Sequence, residues 1–247
     1  MSIVINNFHV IYSIVSHAQL YLIKNLLSDL RLIIRDTDLI VVVINIPEDE
    51  SILLEFQDLN LKIIRNLYVK GFGENHNTVF DLYKCNFFAV VNPDILLNDF
   101  SITKITNVFD DPKVGAVAPL VLSPDMNIED SARKFPSFIK LVFRFLFNNK
   151  SPEYYIGNEL IEVDWVAGMF VIFRGSAFEL VSGFDIKYFM YYEDADICLR
   201  LRKFGYKIFM DPACSVIHIG QRKSRRNFRY FIWHLVSAVR ILLRLHA

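Results

Sequence analysis

The 247-residue chain is 53% hydrophobic and 22% charged, enough apolar content for a sizeable core, which excludes a disordered chain. Its formal charge of zero conceals an asymmetry. After Asp211 there are seven bases (Arg222, Lys223, Arg225, Arg226, Arg229, Arg240, Arg244) and no acid, so a body of −7 carries a tail of +7. An acidic body excludes a general nucleic-acid binder, and a basic tail suits a local anionic partner.

Three cysteines (Cys85, Cys198, Cys214) without a close pair fit a reducing compartment and give neither a disulfide framework nor a thiolate metal site. No apolar stretch approaches the roughly 18–20 residues that cross a bilayer, and no secretory signal precedes the first strand. The expectation is a cytosolic protein that can rest on the inner face of a membrane.

In chain order, His9–Ser16 reads as a strand and Ala18–Leu30 as a helix. The run Leu39–Ile46 is apolar at nearly every position, as in a strand covered on both faces. Leu61–Arg65 is a third strand, Thr78–Lys84 a short helix and Phe87–Val91 a buried strand. Phe100–Phe109 has a helical pattern, and Val114–Val121 is again a strand. Ser123–Pro136 is a polar loop, Phe138–Phe147 an aromatic helix and Val163–Arg174 a long strand or strand pair. Glu193–Phe204 is helical, and Ser215–Ile219 closes the sheet. Strands alternating with helices imply right-handed crossovers and a mostly parallel sheet, in one α/β domain over residues 1–220. Residues 221–247 form a separate amphipathic helix. One stripe of it holds Arg222, Arg226, Arg229, Trp233, Ser237, Arg240 and Arg244, and the rest is largely apolar. Two readings stand equal: a helix lying in an anionic membrane surface, or one packed on the domain or a dimer interface.

Ligands of open α/β sheets collect at the carboxyl ends of strands, where three polar clusters fall. In Gly71–Asn77, glycines such as Gly73 permit close backbone approach, and the next helix start offers amide donors to a phosphate; a plain turn is the competing reading. Asn92-Pro93-Asp94 follows a buried strand, and its proline ends the ladder and displays Asp94 at the edge. A divalent cation bridging phosphates needs only one or two such carboxylates, although taken in isolation a capping role is the commoner explanation of Asp94. In Glu193-Asp194-Ala195-Asp196, Asp196 and Arg200 share a helix face as a surface ion pair would. Asp194 falls with Ile197 and Leu201 on the inward side, where a carboxylate is costly unless a partner satisfies it. Asp194 is therefore the leading candidate for chemistry and Glu193 the second. His218 stands at another strand end, although a lone histidine is more often a hydrogen-bonded structural residue than a ligand, and Arg133 with Lys134 forms a small cationic pair suited to a diphosphate and equally to solvent.

In this order the clusters resemble the inverting family-2 glycosyltransferases of the GT-A fold, in particular the bacterial rhamnosyltransferase-like group. The segments that carry the likeness are Ile14–His17, Gly71–Asn77, Val91–Ile95, Arg133–Pro136, Asp164–Gly168, Gly183–Asp185 and Tyr188–Arg200. The resemblance implies a nucleotide-sugar donor, dTDP-rhamnose before a UDP-sugar, with Mg²⁺ or Mn²⁺ held by Asp94 and His218. It implies Asp194 as the base that deprotonates an acceptor hydroxyl, with Glu193, Trp165 and Gly168 on the acceptor side. Ser16, Asn45, Gly73, Asn77, Asn92, Asp94 and Arg133 would then contact the donor. The acceptor would be a lipid-linked saccharide in synthesis of a surface polysaccharide such as O-antigen or capsule.

Two departures stand out. Ile44-Asn45 occupies the place of the family's base-contacting Asp-Asn pair, and Ser16-His17 replaces a frequent Asn. They motivate a competing reading, a catalytically inactive nucleotide-sugar-binding or scaffold subunit. A nucleotidyltransferase would show a basic, glycine-rich loop after the first strand, and Ile14–Leu20 has none.

Overall fold

The computed structural model describes residues 7–137, 153–220 and 228–246. The aromatic helix expected at Phe138–Phe147 lies outside them. Among the described residues the strands are β1 Asn7–Ser16, β2 Leu39–Ile44, β3 Leu61–Arg65, β4 Lys84–Val91, β5 Ile95–Leu97, β6 Val114–Leu122, β7 Ala132–Arg133, β8 Ile161–Glu162, β9 Trp165–Val166, β10 Phe170–Arg174 and β11 Lys207–His218. The helices are α1 Leu20–Arg31, α2 Phe72–Leu82, α3 Ile102–Asn107, α4 Gly175–Leu180, α5 Glu193–Lys203 and α6 Phe228–Leu245.

The main sheet runs β3-β2-β1-β4-β10-β6-β11-β5, with β8 beside β11. From β3 to β4 and between β6 and β11 the pairing is parallel; β10, β5 and β8 run against it. This is the mostly parallel α/β sheet expected. Strand β2 (LIVVVI) is buried at all six positions, because helices cover both faces. Its alternate residues divide the core. Val41 and Val43 join Phe80, Phe178 and Ile197 under α2, α4 and α5, whereas Ile40 and Val42 join Leu26 and Ile102 under α1 and α3. Each such fully buried side chain contributes about 1.5–3 kcal/mol.

The boundaries depart from expectation where tertiary contacts decide them. Helix α2 begins at Phe72, inside the glycine-bearing cluster, and Lys84 belongs to β4. Strand β11 starts at Lys207, eight residues before the expected Ser215. Its register against β6 shifts between Asp211 and Ser215, around Pro212, which has no amide to donate.

The tail helix packs on the body. Ile241 and Ala238 are buried in the core beneath α2, α4 and α5, and Ser237 donates to the Met190 carbonyl at 3.0 Å. Arg244 pairs with Asp185 (3.0 Å) and with Asp196. The described part of the polar stripe therefore faces protein, and apolar residues such as Leu235 and Val239 face outward. Asp196 also corrects the sequence reading: it is fully buried between Arg200 (2.8 Å) and Arg244, because α6 covers a face that looked like surface.

Candidate active site

The strand order brings the carboxyl ends of β1, β2, β4, β6 and β11 to one edge, and β10 starts there in the opposite direction. Asp94 follows β4 and is buried. Its main-chain carbonyl accepts the Ile219 N–H at 3.0 Å, which fastens it to the end of β11. His218 stands 3.4 Å through Nε2 from Asp94 Oδ2 and 2.9 Å through Nδ1 from Glu129 Oε2. Burial disfavours the charged imidazole, but hydrogen bonds and charge from Asp94 and Glu129 outweigh it and raise its pKa to about 9. Nothing in the sequence singled out Glu129, which sits in a polar loop.

Among the described residues no group of three or more His, Cys, Asp or Glu side chains is arranged to hold a metal ion. Asp94 and His218 do offer one carboxylate and one imidazole at the edge. With its raised pKa His218 carries a proton on both nitrogens at neutral pH, so it would join Asp94 around a cation and its diphosphate only on losing the Nε2 proton, with Glu129 orienting the ring.

The other half of the edge centres on Asp194. The N–H of Gly168, just before β10, donates to Asp194 Oδ2 at 2.9 Å, and the Ala195 N–H donates to Oδ1 at 2.8 Å. Nearby, the Asn92 N–H donates to the Met169 carbonyl at 2.9 Å, so one short segment connects the Asp94 turn to Asp194. Burial raises the Asp194 pKa, opposed by the two amides and by Arg133. Glu193 is buried with no hydrogen-bond partner for Oε2 among the described residues. Burial first, and then the Asp194 charge, push its pKa well above the carboxylate range. The turn that delivers both acids carries two consecutive left-handed residues, Tyr191 (φ 71°) and Tyr192 (φ 64°). Non-glycine residues in that region cost about 1–3 kcal/mol each and cluster at functional sites. Composition gave no sign of them.

The remaining predicted residues divide. Arg133, paired with Asp130 at 3.2 Å, lies over the Trp165 ring at 5.1 Å and acts electrostatically on Asp194. Trp165 itself is buried, and its Nε1 donates to the Lys134 carbonyl at 3.1 Å; with Arg133 above it, little ring surface is open to a sugar. Gly73 faces the core, where a Cβ would lie 2.5 Å from Phe184 Cβ. Asn77 clamps the Phe184 main chain, donating to its carbonyl at 2.8 Å and accepting its N–H at 2.9 Å. Both residues support the Gly183 turn (φ +63°) and face away from the edge, because α2 begins six residues earlier than the pattern suggested.

At the ends of β1 and β2 the polar groups are spent internally. Ser16 is buried, donates to Glu48 and accepts the Gln19 N–H at 3.1 Å. Asn45 accepts from Lys70 N–H (2.9 Å) and Asn66 (2.8 Å) and donates to the Lys70 carbonyl (3.0 Å).

Rhamnosyltransferase WbbL of Escherichia coli (strain K12) is 36% identical over 191 residues, 71% of this chain and 71% of that enzyme. The chain belongs to the rhamnosyltransferase-like, family-2 glycosyltransferases. N-acetylglucosaminyl-diphospho-decaprenol L-rhamnosyltransferase of Mycobacterium tuberculosis is 31% identical over 66% of this chain, which spans 56% of that enzyme. A solved mannosyltransferase of Pyrobaculum calidifontis, in complex with GDP-Man and Mn²⁺, has a TM-score of 0.68 at 18% identity. It covers 96% of this chain and 65% of its own, a likeness of fold. No protein-family model matches. As a glycosyltransferase of GT-A fold, the chain carries its acid–amide cluster on the edge where such a sheet takes its ligands.

Proposed function

We propose that the chain transfers rhamnose, with inversion, from dTDP-rhamnose to a hydroxyl of a lipid-linked saccharide, in the building of a surface polysaccharide such as O-antigen. The observation that carries this reading is the Asp194 carboxylate, partly exposed at the sheet edge and fixed there by the Gly168 and Ala195 amides. Asp194 takes the proton of the acceptor hydroxyl as that oxygen attacks the anomeric carbon. The new C–O bond forms as the bond from the anomeric carbon to the diphosphate oxygen breaks, and dTDP leaves. Two amide donors hold the carboxylate in one orientation, while burial keeps it basic enough to accept a proton. Glu193, whose pKa is raised by burial and by the Asp194 charge, lies beside it on the acceptor side.

Asp94 and His218 would hold a divalent cation, Mg²⁺ or Mn²⁺, which when bound neutralises charge developing on the diphosphate. Arg133 supplies fixed positive charge on the Asp194 side, and Asn92 holds the Asp94 turn against the start of β10. The names of the two curated relatives support rhamnose, and that of the mycobacterial enzyme a lipid diphosphate acceptor.

The test is incubation of the whole chain with a divalent cation, a lipid-linked N-acetylglucosaminyl diphosphate and dTDP-rhamnose, UDP-sugars or GDP-sugars in turn, following released nucleoside diphosphate. Rhamnosylated product with dTDP-rhamnose, lost in Asp194→Asn, is the expected result. Turnover unchanged in that variant removes Asp194 as base. Donor binding by calorimetry without transfer to any acceptor replaces the enzyme by a scaffold subunit.

A further inference from the structure

The tail helix α6 turns its polar side to the protein and its apolar side to water. Inward, Ser237 bonds the Met190 carbonyl, Arg240 donates to the Lys187 carbonyl, and Arg244 pairs with Asp185 and Asp196. Outward, Phe231, Ile232, Leu235, Val236, Val239 and Leu243 are all exposed, Leu243 to 70%. Side chains at this helical spacing form one continuous apolar strip, which water leaves uncovered at a cost. No described helix is long and apolar enough to cross a membrane, so the strip suits a surface rather than a span. The sequence adjoining it holds Arg222, Lys223, Arg225, Arg226 and Arg229 with no acid among them. An apolar strip beside concentrated positive charge complements an anionic lipid surface. The same charge opposes a second copy on this strip, because each copy brings its own acid-free run of five bases.

We propose that α6 docks the protein in the plane of an anionic bilayer through this strip. The proposal deepens the rhamnosyltransferase reading, since it names the surface from which the lipid-linked acceptor reaches Asp194. Trp233 lies 4.5 Å from the Phe189 ring, and His234 lies 5.3 and 5.2 Å from Tyr191 and Tyr192. These contacts hold α6 against the turn that delivers Glu193 and Asp194, so a bilayer under α6 lies beside the acceptor side of the cleft. A second apolar element borders the same place. Leu67, Tyr68 and Val69 are exposed just before Gly71, whose neighbour Phe72 donates its N–H to the Phe189 carbonyl at 3.0 Å.

The experiment is co-sedimentation of the full chain with vesicles of phosphatidylethanolamine and phosphatidylglycerol, against vesicles of phosphatidylcholine alone. Expected are salt-sensitive binding to the anionic vesicles and a loss of at least about tenfold in a Leu235→Ser, Val239→Ser double variant. Both residues are exposed, so the variant's melting temperature and its transfer to a short-chain, water-soluble acceptor should match wild type. Equal sedimentation of variant and wild type overturns the proposal. So does a dimer in size-exclusion chromatography that the double substitution splits, which assigns the strip to a second copy. Wild-type chain that binds vesicles and transfers no sugar leaves docking standing and sinks the enzymatic reading; transfer without vesicle binding does the reverse.

Discussion

The two halves of the sheet edge treat their polar groups in opposite ways. At the ends of β1 and β2, Asn45 exchanges hydrogen bonds with Lys70 and Asn66, and Asn66 reaches on to Asn75 at 2.6 Å. Ser16 is likewise consumed by Glu48 and Gln19. At the start of β10 and α5, Glu193 Oε2 is left without a partner among the described residues, and Asp194 is held by amides yet still open to the edge. The backbone that delivers them sits in a costly conformation at Tyr191 and Tyr192. A saturated network makes scaffold; one acid with an open oxygen beside an amide-held, partly exposed one, on a strained turn, makes a place where substrate can supply the missing partner. On the proposed reading the chemistry belongs to the β10–α5 half, and the β1–β2 half shapes the cleft.

Substitutions can break that division. The largest effect is expected at Asp194→Asn, where the isosteric amide cannot accept a proton. Turnover should fall about 10²–10⁴-fold, with stability lowered by no more than about the 1 kcal/mol of one lost amide hydrogen bond, read by donor consumption and calorimetry. An equal loss of stability would instead make Asp194 scaffold. In the other half, Asn45→Ala strands the Lys70 N–H and the Asn66 amide, and should cost about 1–3 kcal/mol in denaturant unfolding. The KM for donor should move little at a temperature where the variant is folded. Gly73→Ala drives a methyl group onto Phe184 and should likewise cost about 1–3 kcal/mol. A raised KM at intact stability would return Gly73 to the ligand side.

The last contrast is in pH. His76, buried behind Phe72 and bonded to Ser13 at 2.7 Å, has its pKa lowered by burial from 6.5 to about 3. The unfolded chain therefore binds a proton below about 6.5 that the native protein refuses. This contribution is complete above 6.5 and is lost as pH falls toward 3, by about 1.4 kcal/mol per unit. Chemical denaturation from pH 7 to pH 5 should show the slope in wild type and less of it in His76→Gln. Activity should meanwhile have its acid limb above the ordinary carboxylate range, because burial raises the Asp194 pKa.

Periodicity and strand-end position reached most of this molecule. The apolar run of β2 read as a doubly covered strand, whereas α5 reversed the helical reading: Glu193 and Asp196 are the buried acids and Asp194 the partly exposed one. Local pattern failed where a distant residue decides. The first turn of α2 packs Gly73 against Phe184, more than a hundred residues away, and β11 runs on past a register shift against β6 around Pro212. Trp165 looked like a platform for a sugar and is buried beneath Arg133.

From the chain alone came the α/β alternation, the acids at the strand ends and the family likeness, because each is written in residues near one another in sequence. Folding alone decided that Asp94, His218 and Glu129 meet, that Asp196 is buried under Arg244, and that α6 turns its apolar side outward. Those outcomes join residues tens to more than a hundred positions apart, and a helical stripe specifies two faces without specifying which of them the rest of the protein will cover.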